Sequence, residues 1–179
     1  MRIYTRTGDG GETALLDGRR VSKADPRVDA YGEVDELGAW IGVVGAAEGR
    51  LDPDLAETLL QIQRDLFALG ARLADPAARV ANRAAKADLD EASVARLERW
   101  IDRYDAELPP LRRFILSGGT RAGAELQLAR AVCRRAERRV VALGALDPAL
   151  LAYVNRLSDL LFVLARVVNH RGDRAEVEW

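Results

Sequence analysis

The chain is poor in the residues that most often carry enzyme chemistry. Its 179 residues include one cysteine, Cys133, and one histidine, His170. A single cysteine excludes an internal disulfide and suits a reducing compartment. One cysteine with one histidine also excludes a Cys/His zinc cluster. There is no GxxxxGK[ST] run, so the usual P-loop is excluded as well. No apolar run approaches the roughly 18–20 residues needed to cross a bilayer. Residues Met1–Gly11 lack both an apolar signal region and a long Arg/Ser-rich amphipathic stretch. The expected location is therefore the cytoplasm, with no membrane contact. Charge of one sign is also lacking: 27 basic against 28 acidic residues leave a formal net charge of -1. Nothing overall draws the chain to nucleic acid, so any basic site must be local.

What the chain does have is helical periodicity. Hydrophobic residues make up 49% and charged residues 31%, the balance of one folded domain with a full-sized core. The leader, residues 1–25, reads MRIYTRTGDGGETALLDGRRVSKAD and has no helical period. It is expected to be a loop or short extended segment. Five amphipathic segments follow: Val28–Glu48, Pro53–Ala74, Leu89–Glu107, Thr120–Leu143 and Asp147–His170. The fourth places Ala122, Leu126, Ala129, Cys133, Ala136, Val140 and Leu143 in four-three alternation, with Thr120 as its predicted N-cap. The stretch from Asp75 to Asp88 has no apolar seam and is expected to be an exposed connection. Five such segments predict an all-α, up-and-down helical bundle over residues 26–170 with a tail at 171–179. The fifth segment carries a second apolar stripe, Tyr153, Leu160, Val163 and Val167. That stripe makes the segment either central or a subunit contact, and an oligomer is the favoured expectation.

Three segments carry chemistry. On the fourth helix, Arg130, Arg134 and Arg138 lie four apart opposite the apolar seam, with Glu137 at the edge and Arg135 and Arg139 in a flanking row. Like charges at this spacing repel by roughly 0.2–0.5 kcal/mol per pair, so the row calls for an anionic partner. That partner is either a ligand's phosphate or carboxylate, for which arginine's fork is suited, or the acids Glu33, Asp35 and Glu36 of the first helix. In the leader, TRTGDGGET combines glycines that let backbone N–H groups approach an anion with the hydroxyls of Thr5, Thr7 and Thr13. On the fifth helix, Asn155 and Asp159 share a face, which suits either an inter-helix hydrogen bond or a contact to a ribose or base edge. Together these segments read as a helical protein that binds a nucleotide polyphosphate, with Glu137 or a nearby acid available to a divalent ion.

The same segments resemble the PduO-type ATP:cob(I)alamin adenosyltransferases. The matching stretches are YTRTGDGGET at Tyr4–Thr13, GRRVSKADPRVDAYGEVDELGAWIG at Gly18–Gly42 and FILSGGT at Phe114–Thr120. RAVCRRAERRVV at Arg130–Val141 and NRLSDLLFVLAR at Asn155–Arg166 complete the set, in family order and nearly end to end. The resemblance implies a trimeric five-helix bundle with sites between subunits, acting on ATP, with Mg, and on cobalamin. The implied reaction moves the 5′-deoxyadenosyl group of ATP to cobalt and releases triphosphate; a non-catalytic corrinoid or ATP carrier is the alternative. The resemblance assigns ATP binding to Thr5, Arg6, Thr7, Gly8, Thr13, Lys23, Arg134, Arg135, Glu137, Arg138 and Asn155. It makes Asp35 and Arg130 an intersubunit ion pair on the corrinoid side, and Phe114 the ring that displaces the lower axial ligand of cobalt. A reductase and a cobalamin-dependent acceptor enzyme are implied partners. Three positions depart from common family forms: Ser117 for proline, Gly38 for asparagine and Gly10 for lysine. The first two are expected to alter rigidity beside the corrinoid; the third removes a positive charge near the phosphates.

Overall fold

A computed structural model describes residues 3–46, 51–75, 89–144 and 146–179. The leader folds into a hairpin of β1 (Glu12–Ala14) and β2 (Arg20–Ser22), paired antiparallel with Thr13 opposite Val21. Five helices follow: α1 (Pro26–Gly45), α2 (Pro53–Leu73), α3 (Glu91–Asp105), α4 (Arg121–Ala142) and α5 (Pro148–Arg171). The helix starts follow local chemistry. Asp25 caps α1 by accepting from Arg27 N at 2.8 Å, and Asp147 caps α5 by accepting from Ala149 N at 3.0 Å; a proline opens each helix. Thr120 caps α4, its hydroxyl accepting from Gly123 N at 3.0 Å, as the sequence predicts.

The five-helix reading holds, and the four-three seam of α4 is buried from Ala122 to Val140. Most of the exposed connection expected at Asp75–Asp88 lies outside the described residues; its first residue, Asp75, is buried. Helix α5 is the centre of the bundle, packed against α4 on one side and α3 on the other. Its second stripe, Tyr153, Leu160, Val163 and Val167, is therefore buried within the protomer. Of the two readings of that stripe, the central one holds; the Tyr153 hydroxyl, for example, reaches Asp65 of α2 at 2.8 Å. By length and hydropathy α5 alone, among the described residues, passes as a membrane-crossing helix, but 56% of its most apolar window is buried in the bundle. It also carries a buried arginine, Arg166.

Cys133 lies on the α4 seam with its thiol directed at Val154 O at 3.4 Å. Burial pushes that thiol well above its usual range, so it stays neutral through pH 9. A folded sample should therefore resist a thiol-reactive disulfide reagent at pH 8 and react in full only in denaturant. Fast labelling of the native chain would place Cys133 outside the core.

Candidate functional site

The leader hairpin is tied to the bundle by Leu15, which is buried, and by Leu16 N donating to Ala74 O at 3.0 Å. Upstream of β1 the chain doubles back on itself. Arg6 is held at φ 62, a conformation that costs a non-glycine residue of order 1 kcal/mol and recurs at ligand sites. The hydroxyls of Thr5 and Thr7 meet at 2.8 Å on the surface. Arg20 spans the turn, donating to Thr7 O at 2.8 Å and to the Glu12 carboxylate at 3.1 Å. Lys23 N donates to Gly11 O at 2.8 Å, and its ammonium lies beside Gly8, where a Cβ would stand 3.3 Å from Nζ. Thr5, Thr7, Gly8 and Lys23 thus belong to one folded turn, with Thr13 on the adjoining strand. Lys23 also lines a cavity of about 540 Å³ with Asp29 and with Arg139 of α4.

The arginines of α4 separate into two groups. The flanking row is committed to the fold. Arg135 donates to Glu33 at 2.6 Å and also to Glu36, and Arg139 pairs with Asp29 at 3.0 Å. The Arg135 guanidinium holds the Glu36 carboxyl below the usual carboxylate range. These contacts pin α4 to α1, so Arg135 is already satisfied in the protomer. Among the described residues, Arg134 and Arg138 have no carboxylate partner. Both are exposed, and Arg138 Nη1 donates to Arg134 O at 2.9 Å. Next to them Glu137 accepts from Asn155 Nδ2 at 2.8 Å, joining α4 to α5. Asp159, on the same helix, faces outward and pairs with Arg156 at 2.9 Å.

The corrinoid-side assignments fall on surfaces. Asp35 lines a groove of about 740 Å³ between α1 and α2, with Leu16, Tyr31, Gly38 and Phe67 around it. Phe67 is 83% exposed there. Gly38 is inside α1, not in a loop, so its effect is on the groove wall; a Cβ there would meet nothing within 4 Å. Gly10 is exposed and equally open. Arg130 is not paired with Asp35 within the protomer. Its Nε donates to Gln127 at 2.9 Å and its guanidinium lies 6.0 Å from the Phe162 ring centroid. Phe114 is 80% exposed, at the crest of the connection between α3 and α4, and Ser117 sits on the same connection. Sequence reasoning did not single out Arg166 and Asn169 of α5, both buried beneath that connection. Two polar residues inside an apolar helix were the available signal. His170 is exposed in the last turn of α5, where a positive charge is favourable.

A helical bundle that turns Arg134 and Arg138 outward without a carboxylate partner, and that also carries a folded threonine–glycine turn, has the features of a polyanion binder. Comparison narrows this class. The cobalamin adenosyltransferase profile matches residues 3–168. A cobalamin adenosyltransferase of Cupriavidus metallidurans is 48% identical over 99% of this chain and 94% of its own length. A corrinoid adenosyltransferase of Bacillus subtilis is 44% identical over 100% of this chain and 92% of its own. Among solved structures, a variant PduO-type ATP:corrinoid adenosyltransferase from Lactobacillus reuteri, complexed with cobalamin and ATP, superposes with a TM-score of 0.92. It is 36% identical and covers 99% of this chain and 96% of that one. The chain belongs to the cobalamin adenosyltransferase family.

Proposed function

We propose that this chain transfers the 5′-deoxyadenosyl group of ATP to the cobalt of cob(I)alamin, giving adenosylcobalamin and triphosphate. The electron pair of cobalt(I) attacks the 5′ carbon, the bond from that carbon to oxygen breaks, and its electrons leave on the triphosphate. Cobalt(I) needs no protein base, which accounts for a site rich in arginine and without a histidine. The protein's share is to align the two reactants and to stabilise charge on the leaving group. The observation that carries the reading is the outward Arg134–Arg138 row with no acid of its own, flanked by the Glu137–Asn155 pair.

Within this reading, residues 1–179 work as a single domain: a leader at 1–25, a bundle at 26–170 and a tail at 171–179. Thr5, Arg6, Thr7, Gly8, Thr13 and Lys23 bind the triphosphate together with Arg134 and Arg138. Arg135 acts through the fold, since its guanidinium already serves Glu33 and Glu36. Three copies assemble so that the leader of one faces the open arginine row of the next, and Asp35 pairs with Arg130 across the contact. The exposed Phe67 and the groove beside Asp35 support such a contact. Glu137 is a carboxylate suited to magnesium. Among the described residues there is no cluster of three or more metal-ligating groups, so most of the ion's oxygen ligands would be phosphate and water. When bound, the ion neutralises charge on the triphosphate. A reductase that supplies cobalt(I) and an acceptor enzyme for the product complete the cytoplasmic setting.

The test is a cobalamin absorbance time course with ATP and a chemical reductant, with triphosphate measured in parallel. Adenosylcobalamin and triphosphate should form in equal amounts. Binding of both ligands without triphosphate would instead identify a carrier. Phe114→Ala should lower turnover from cobalt(II) by about tenfold or more, while turnover from pre-reduced cobalt(I) changes far less. Equal losses in the two assays would remove the ligand-displacing role.

A further inference from the structure

We propose that Arg166 and Asn169 of α5, with Glu176 and the segment 174–179, are positioning residues that hold the Phe114 connection in one working conformation. The inference rests on the proposed function. Residues 109–120 have no helix or strand of their own, and they present a large apolar ring to solvent. Left alone, such a ring would fold back onto apolar surface. Its backbone is instead fixed at three places.

At the near end, Arg166 Nη2 donates to Pro109 O at 2.9 Å. This guanidinium is 3% exposed, and it is balanced by Glu176 at 2.6 Å and by Asp105 at 3.6 Å. At the far end, Asn169 Nδ2 donates to Gly118 O at 2.9 Å. Its Oδ1 accepts from Thr120 N at 2.8 Å and from Thr120 Oγ1 at 2.9 Å. The amide fits only because glycines face it. A Cβ at Gly119 or Gly123 would stand 2.4 or 2.1 Å from the Asn169 side chain. In the middle, Leu116 N donates to Val177 O at 2.8 Å and Trp179 N donates to Phe114 O at 2.9 Å. The bridge between Ile115 and Glu178 is antiparallel, and Arg113 pairs with Glu178 at 3.1 Å.

These anchors form one unit. Arg166 and Asn169 are one helical turn apart on α5, so a rigid core element sets both ends of the connection. Arg166 also binds, through Glu176, the segment that pairs with the middle. Burying a guanidinium and an amide in an apolar helix is costly unless every group is satisfied. Among the groups that satisfy them are Pro109 O, Gly118 O and Thr120 of the connection that carries Phe114. A displacement of the ring by about 1 Å is enough to lower a positioned reaction strongly.

Changing Arg166 risks the fold, so the test uses Trp179, which is 85% exposed. Trp179→Pro removes the ring and the N–H that donates to Phe114 O; Trp179→Ala removes the ring alone. The two are compared for turnover from cobalt(II) and from pre-reduced cobalt(I). Loss of the axial nitrogen is read from the paramagnetic resonance of bound cob(II)alamin in the presence of ATP. Relative to Trp179→Ala, Trp179→Pro should lose about tenfold in turnover from cobalt(II) and retain the axial nitrogen in a larger fraction. Turnover from cobalt(I) should agree within about twofold between the two. Glu176→Gln should move the same readouts in the same direction. Identical behaviour of the two Trp179 variants, or parallel losses in both assays, would overturn the inference alone. A wild-type chain inert with pre-reduced cobalt(I) would overturn the functional reading and the inference with it.

Discussion

Arg134→Ala is expected to lower adenosyl transfer by about 100-fold or more while leaving the melting temperature unchanged or slightly raised. The first half follows from the chemistry. Triphosphate leaves with new negative charge, and removing one preorganised donor to such charge typically costs about 100- to 1000-fold in rate. The second half follows from the structure. The Arg134 side chain is exposed and, among the described residues, meets no carboxylate. Its one recorded role in the helix is through its carbonyl, which accepts from Arg138 at 2.9 Å and survives the substitution. Alanine is the better helix former, and losing a like charge between Arg130 and Arg138 relieves repulsion of about 0.2–0.5 kcal/mol per pair. Arg135→Ala should behave oppositely. It releases Glu33 and Glu36 and loosens α4 from α1. Its main effect is a lower melting temperature, modest because the Arg135 side chain is 40% exposed and screened. Steady-state kinetics with thermal melts on both variants checks the pair. An active Arg134→Ala enzyme would mean that the triphosphate binds elsewhere.

That contrast also marks how far the sequence could be read. Spacing along α4 identified two arginine rows, but not which of them the fold uses. The answer depends on α1, more than 90 residues earlier in the chain, whose Glu33, Glu36 and Asp29 claim the flanking row. The apolar seams of all five helices were legible because burial repeats with the helical period. Periodicity says which faces are apolar and not what covers them. The second stripe of α5 therefore left a central helix and a subunit contact both open, and only burial inside the protomer decides for the first. The leader hairpin was legible only as an extended segment, since strands of three residues give no alternation to detect. Arg166 and Asn169 escaped notice for a similar reason. Their meaning lies in Pro109, Gly118 and Glu176, distant or irregular partners that only the fold brings to them.

Asp65→Ala should destabilise the chain by about 3 kcal/mol without a specific effect on ligand binding. Helix α2 packs closely on α1, and α3 packs on α5. Between α2 and the α3–α5 pair, polar side chains link the helices beside the apolar core. Asp65 is the buried carboxylate among them, 7% exposed at its side chain. Its Oδ2 accepts from Arg96 at 2.6 Å and from the Tyr153 hydroxyl at 2.8 Å, while Oδ1 accepts from Gln61 at 2.9 Å. Thr58 and Tyr104 continue the same seam, their hydroxyls 3.0 Å apart. Burial first, and then the Asp65 charge, push the Tyr153 phenol well above its usual range, so it remains a donor through the whole working pH span. Removing the carboxylate leaves that buried hydroxyl and one guanidinium facing each other without an acceptor. Arg96 is 29% exposed and recovers part of the loss through water, which keeps the cost nearer 3 than 5 kcal/mol. Asp65→Asn retains an acceptor and should lose about half as much. Urea denaturation should show the midpoint falling at an unchanged slope, the signature of a weaker native state with the same buried surface. A loss under about 1 kcal/mol for the alanine variant would mean that apolar packing alone closes this side of the bundle.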